Sequence, residues 1–195
     1  MNSIKYRNKY LYFDNASVEK IAKNNKTPFY LYSLEQLKNN FGYFRSTFSK
    51  NDPLICFAIK SNPNLVILKN LQTLGAGADV VSLGELQLAL KAGIEPKKIV
   101  FSGVGKTAEE LDYAISKKIL LINAESENEV GEIKKIAQRR KTKVVIGLRL
   151  NPNISARTIK KISTGKKSDK FGIDIEKCFD IFKENKDNKY IAINA

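Results

Sequence analysis

The sequence contains no histidine. Its absence removes the commonest general base and the commonest metal ligand from any chemistry these residues run alone. Cysteine is nearly as scarce. Cys56 and Cys178 are the only two, far apart and in no C-x-x-C or zinc-ligand spacing, which argues against a disulfide scaffold and against a structural zinc site. Such usage fits a reducing cytoplasm. No apolar run approaches the roughly 20 residues of a membrane-spanning helix. The opening Met1-Asn2-Ser3-Ile4-Lys5-Tyr6-Arg7 is polar with no apolar stretch behind it, so neither a membrane segment nor a signal peptide is expected.

Acidic residues are also few, 20 against 34 Lys and Arg, for a net charge of +14. A charge of that size raises the question of a nucleic-acid surface. The distribution answers it: Lys97-Lys98, Lys117-Lys118, Lys134-Lys135 and Lys160-Lys161 recur on nearly every expected helix and turn. Only Arg139-Arg140-Lys141 and Lys166-Lys167 form patches, and neither carries interleaved aromatics for base stacking. The excess base reads as a solvated surface, with no nucleic-acid or membrane partner expected.

What the sequence does have is a rhythm. From about residue 50 a short β-branched apolar run, a turn and an amphipathic stretch follow one another repeatedly. Strands are predicted at 54–60, 78–82, 99–104, 120–124, 144–150 and 190–194. Between them, Asn64 can cap a helix carrying Leu65, Leu68 and Leu71, stopped by Gly75. Ser82 precedes Glu85 at capping-box distance, ahead of Leu86, Leu90 and the stop Gly93, and Thr107 precedes Glu110 in the same way. Residues 126–140 place Val130, Ile133, Ile136 and Ala137 on one face.

Strands alternating with helices of this length predict βα units and a parallel sheet. A dinucleotide-binding sheet needs G-x-G-x-x-G after its first strand, where this chain has Phe57-Ala58-Ile59-Lys60-Ser61-Asn62-Pro63 with no glycine. Gly103-Val104-Gly105-Lys106-Thr107 lacks the four residues that separate the glycines of a phosphate loop. The expected fold is therefore a partial (β/α)8 TIM-type barrel, with six of the eight strands in view. Residues 1–49 are set apart as an N-terminal extended segment (27–32) and a helix capped by Ser33, with Leu34, Leu37, Phe41, Phe44 and Phe48 inward. Residues 50–195 form the incomplete barrel.

Catalytic groups of a barrel gather where strands end. The candidates there are Lys60, residues 79–82, Ser102, residues 123–125, and Arg149. Lys60 closes the apolar run Ile55-Cys56-Phe57-Ala58-Ile59. It is either a nucleophile for carbonyl carbons in a partly desolvated mouth or a strand-end lysine reaching to water. Arg149 either anchors a carboxylate or phosphate or pairs with a neighbouring acid in the barrel wall.

Phe57-Ala58-Ile59-Lys60-Ser61-Asn62 resembles the F-A-[VI]-K-[AS]-N stretch of the fold-type III pyridoxal-phosphate (PLP) enzymes, the alanine-racemase-like barrels. Its neighbours resemble the diaminopimelate decarboxylase family in particular. They are Pro28-Phe29-Tyr30-Leu31-Tyr32, Gly75-Ala76-Gly77-Ala78-Asp79-Val80-Val81-Ser82 with Gly84-Glu85-Leu86, Phe101-Ser102-Gly103-Val104-Gly105-Lys106-Thr107, Leu148-Arg149-Leu150-Asn151-Pro152, Ile162-Ser163-Thr164-Gly165 and Lys170-Phe171-Gly172. The motifs run in order and at family spacing from about Pro28 onward.

The resemblance implies a PLP cofactor carried on Lys60, which would also handle the proton returned to the α-carbon. Asp79 and Glu85 match acidic positions near the cofactor and its lysine, Arg149 matches the strand-end arginine beneath the ring, and Ala58 permits close approach. It implies a small amino-acid substrate, with meso-diaminopimelate decarboxylated to L-lysine in a homodimer, and no metal. Decarboxylases acting on arginine, ornithine or carboxynorspermidine are the nearest alternatives. A non-catalytic fragment that keeps the signature is another, and a basic nucleic-acid module a third. Two departures stand out. Ile159 occupies the place of a family histidine ahead of Ile162, and a histidine-bearing strand, phosphate loop, pyridine-nitrogen acid and C-terminal β-domain would be expected beyond Ala195.

Overall fold

The computed structural model of the chain describes residues 4–48, 50–152 and 172–195. Its contacts fall into two units, Met1–Pro53 and Leu54–Ala195.

In the first unit β1 (Ile4–Arg7), β2 (Tyr10–Phe13) and β3 (Ala16–Ser17) form an antiparallel meander. The pairing of Arg7 with Tyr10 leaves a two-residue turn, Asn8-Lys9, with both φ angles positive at 48° and 70°. Helices α1 (Val18–Lys23) and α2 (Leu34–Thr47) follow, and residues 27–32 form no strand. Ser33 caps α2 as expected, its hydroxyl accepting from Gln36 N–H at 2.9 Å. The inward row on α2 does not hold. Leu37 and Phe41 are half-buried, whereas Leu34, Phe44 and Phe48 are exposed. No described residue of this unit is buried, because so short a segment has little interior to enclose.

The second unit is built on one parallel sheet. Its strands are β4 (Cys56–Ala58), β5 (Gly77–Val80), β6 (Ile99–Phe101), β7 (Leu121–Ala124) and β8 (Val144–Leu148). A separate parallel pair, β9 (Leu150–Asn151) with β10 (Ile173–Asp174), precedes the last strand, β11 (Ile191–Ile193). The sheet order β11-β8-β7-β6-β5-β4 follows the chain without reversal. A doubly wound sheet would reverse at a switch point. Sequential order is the winding of a barrel, here six strands of one.

Register assigns the two faces of the sheet. Phe57, Ala78 and Ile99 pair across one row, and Val80, Phe101, Ile122 and Ile146 continue that face. All belong to or pack on the single hydrophobic core, with Leu68 of α3 (Leu65–Thr73), Leu86 of α4 (Leu83–Lys91), Leu111 of α5 (Ala108–Lys117), Ile133 of α6 (Glu127–Arg139) and Ile181 of α7 (Ile175–Asn185). Because side chains alternate along a strand, the other face is concave. It carries Ala58, Asp79, Val100 and Leu121 in one row and Asn123 opposite Gly147 in the next.

The helix starts predicted from sequence are made by the residues expected. Asn64 Oδ1 accepts from Val66 N–H at 2.9 Å, and Gly75 ends α3 with φ +88°. Thr107 and Glu110 form a reciprocal capping box. Ser82 departs from the expected pattern. Its hydroxyl takes the Glu85 N–H, but the Glu85 carboxylate reaches one residue further back and accepts from Val81 N–H at 2.9 Å.

Candidate active site

Lys60 lies in a 3-10 turn, Ile59–Ser61, that follows β4 instead of extending it. Ile59 is wholly buried in the helix-facing core while Lys60 is exposed. The amine therefore stands at the C-terminal rim of the sheet. Asn62 Oδ1 accepts from Asn64 N–H, and Ser61 Oγ donates to the Ala58 carbonyl at 2.7 Å. These bonds fix the turn that carries the lysine.

Below the rim the concave face sets small and polar residues beside Val100 and Leu121. Ala58 pairs with Asp79 in register. Asp79 Oδ1 is buried without a hydrogen-bond partner among the described residues, a costly state for a carboxylate oxygen. Asn123 Nδ2 donates to Ser102 Oγ at 3.0 Å. At Gly147 a Cβ would stand 2.5 Å from Asn123 Oδ1, and at Gly103 it would collide with the Val81 carbonyl. Cys56 lies beside Gly77 on this face. Burial, then the charge of Asp79, push its thiol above the ordinary value, which makes it a poor nucleophile.

Arg149 follows β8, and its Nη1 donates to Glu125 Oε1 at 2.7 Å. The neighbouring acid in the wall is thus Glu125, and Asp79 is out of its reach. Three inter-strand steps separate β5 from β8, roughly 14 Å at about 4.8 Å each, whereas Glu125 stands at the end of the adjacent strand. Glu85 is half-buried and committed to Val81 N–H. The motifs at 162–165 and 170–171, with Arg157 and Ile159, lie outside the described residues.

Sequence reasoning missed two charged residues at the floor of this rim. Lys106, its side chain 1 % exposed, donates to Glu129 Oε1 at 2.5 Å and to the Asn123 carbonyl at 2.8 Å. The usable signal was spacing: Ser126 and Glu129 repeat the Ser82 and Glu85 pattern, and Glu129 Oε2 accepts from Glu125 N–H at 3.3 Å much as Glu85 does from Val81.

The pyridoxal-binding domain of the pyridoxal-dependent decarboxylases matches residues 34–194. The chain belongs to this family. It is 48 % identical over 164 residues to diaminopimelate decarboxylase of Helicobacter pylori strain J99, covering 84 % of this chain and 40 % of that protein. The Aquifex aeolicus diaminopimelate decarboxylase is 43 % identical over 172 residues, again covering 40 % of its length. Among solved structures, H. pylori diaminopimelate decarboxylase complexed with L-lysine superposes with a TM-score of 0.86 at 44 % identity. That match covers 90 % of this chain and 44 % of the other. This chain thus spans about two-fifths of the relatives it matches, and its fold is that of the fold-type III barrels in partial form.

The residues present fit a pyridoxal group. An exposed amine stands at the rim just after Ala58, and Asp79, paired in register with Ala58, has a buried carboxylate oxygen without a hydrogen-bond partner among the described residues.

Proposed function

We propose that this chain is the cofactor-binding part of a PLP-dependent decarboxylase that converts meso-diaminopimelate to L-lysine. The observation that carries the reading is the exposed Lys60 amine at the rim of the first sheet strand, in a chain that is 48 % identical to a diaminopimelate decarboxylase. PLP, when bound, supplies an electron sink for the charge left as carbon dioxide departs. Lys60 would hold the cofactor through its amine and would supply the proton returned to the substrate α-carbon. Ala58 leaves room for the ring. Asp79, with a free acceptor oxygen, and Arg149, a half-exposed donor, orient groups above the strand ends. Glu85 acts from the first turn of α4, its carboxylate held by Val81 N–H.

The same reading makes the complete enzyme a cytoplasmic homodimer. Free Cys56 and Cys178 support a reducing compartment. Among the described residues no helix is long and apolar enough to cross a membrane.

The test is to incubate the purified chain with PLP, reduce with borohydride, and map the pyridoxyl group by peptide mass spectrometry. The label should fall on Lys60 and vanish from that peptide in Lys60→Ala. Uniform labelling of surface lysines, unchanged by Lys60→Ala, would sink the proposal.

A further inference from the structure

The cofactor reading does not use the buried Lys106–Glu129 pair, yet that pair holds the strand end that carries Glu125, the partner of Arg149. A lysine side chain 1 % exposed and a glutamate side chain 8 % exposed are kept charged inside a protein only when several partners hold them. Lys106 has three. Its ammonium meets Glu129 Oε1 and the Asn123 carbonyl, and it lies 5.5 Å from the centroid of the Phe101 ring, within cation–π range.

These contacts grip the end of β7 from two directions. Lys106 binds the carbonyl of Asn123, and Glu129, through its second oxygen, binds the N–H of Glu125 two residues on. The segment so held presents two side chains to the mouth. Asn123 reaches Ser102, and Glu125, its side chain 6 % exposed, reaches Arg149. The other Glu125 oxygen, Oε2, is buried without a hydrogen-bond partner among the described residues. With only one of its oxygens bonded, the carboxylate depends for its orientation on the backbone below it.

We propose that Lys106 and Glu129 are positioning residues that fix the Glu125 carboxylate, and through it the Arg149 guanidinium, at the mouth of the barrel. The consequence for catalysis rests on the PLP reading of this face; the mechanical coupling does not.

The experiment uses the 195-residue chain and phenylglyoxal, which modifies arginine, with peptide-resolved rates for Arg149 and, as internal references, Arg139 and Arg140. The variants are Lys106→Met, Glu129→Gln, Glu125→Gln, the pair Lys106→Met with Glu125→Gln, and the charge-free pair Lys106→Met with Glu129→Leu, which leaves no unpaired buried charge should a single change fail to fold. The Arg149 rate is expected to rise about fivefold in Glu125→Gln and by a similar factor in Lys106→Met, Glu129→Gln and the charge-free pair, as contacting residues in one network couple. Lys106→Met with Glu125→Gln should be no faster than Glu125→Gln alone. An Arg149 rate that stays at the parent value while the melting temperature falls would overturn the proposal. So would equal rises at Arg139 and Arg140.

PLP affinity, measured on the same variants, separates the two readings. If Arg149 responds as described but no variant or parent binds PLP, the cofactor reading fails and the positioning network stands. If PLP binds Lys60 and Arg149 does not respond, the reverse holds.

Discussion

A Cβ on Gly147 would stand 2.5 Å from Oδ1 of Asn123 and 3.3 Å from the Ala195 Cβ. The two residues face each other across β7 and β8, so the side chain of one occupies the space the other lacks. Asn123 needs that space to reach Ser102.

Alanine substitutions at glycines should therefore divide by what each new methyl meets. Gly147→Ala forces Asn123 off Ser102 and is expected to cost about 1–3 kcal/mol, the range of an overpacked site with a displaced hydrogen bond. Gly103→Ala should cost more, because its obstacle is the Val81 carbonyl, which cannot swing aside. Gly131, within α6, meets nothing within 4 Å, and Gly131→Ala should stabilise by up to about 1 kcal/mol. Urea denaturation of the three variants checks the order. A Gly147→Ala chain as stable as its parent would show that the concave face has slack.

Acid should release a surface clamp between α5 and α6. Hydrogen bonds from Arg140, opposed by burial and reinforced by Arg139 and by both charges, lower the Asp112 pKa from 3.8 to about 2. A carboxylate with a depressed folded-state pKa contributes stability that is complete above its ordinary pKa and disappears as pH falls through the folded value. The window is thus about pH 4 down to 2. Much of the cluster faces solvent, so screening holds the contribution to about 1 kcal/mol. Asp112→Asn should flatten the fall in melting temperature across that window; an unchanged acid limb would remove Asp112 from the account.

Glu110 joins two helix starts. It completes the capping box with Thr107, and its Oε1 also accepts from Leu83 N–H at 2.9 Å. Burial raises its pKa, but the bonds from Thr107 and Leu83 and the charge of Lys106 outweigh that, and the net shift is downward. Its contribution accordingly holds above the usual carboxylate range and fades on acidification. Glu110→Ala should cost about 1–2 kcal/mol, more than Thr107→Ala at about 1 kcal/mol, because only the former also frees the donor at α4. Equal losses would mean the Leu83 bond contributes nothing.

The six sheet strands were legible because each is a short β-branched run between turn signals, and the caps because Asn64, Ser82 and Thr107 precede apolar periodicity. The meander in the first unit was not. Its turn requires two positive φ angles, for which Asn-Gly is the usual signal, and Lys9 stands where the glycine would be. The apolar row of α2 was read as inward from its spacing, but spacing says only that a face is apolar, not that something in its own unit covers it. Lys106 and Glu129 escaped for a related reason. Charge reads as surface, and what buries these two is a set of partners contributed by three different segments, β6, β7 and α6. Lys60 and Arg149 were visible as candidates because each follows an apolar strand; that Arg149 pairs with Glu125 and not Asp79 depends on strand order, which no local pattern carries.

The last prediction concerns the 195 residues taken by themselves. They should accept PLP at Lys60 yet release no measurable carbon dioxide from meso-diaminopimelate. Imine formation needs an accessible amine and a carbonyl, and Lys60 supplies the first at an exposed rim. Decarboxylation asks for more. The cofactor ring must be held rigidly enough for the scissile bond to align, and misplacement by about 1 Å can cost about a hundredfold. Here the concave face is walled by six strands, and among the described residues β4 and β11 each have a neighbour on one side only. Those edges leave the mouth open to water and invite association. No histidine is present to serve as a ring-stacking or acid–base partner. The assay pairs borohydride trapping, read at the Lys60 peptide, with release of labelled carbon dioxide from carboxyl-labelled substrate. Trapping without release is the expected result. Turnover that is abolished by Lys60→Ala would show that these residues already hold a complete catalytic site.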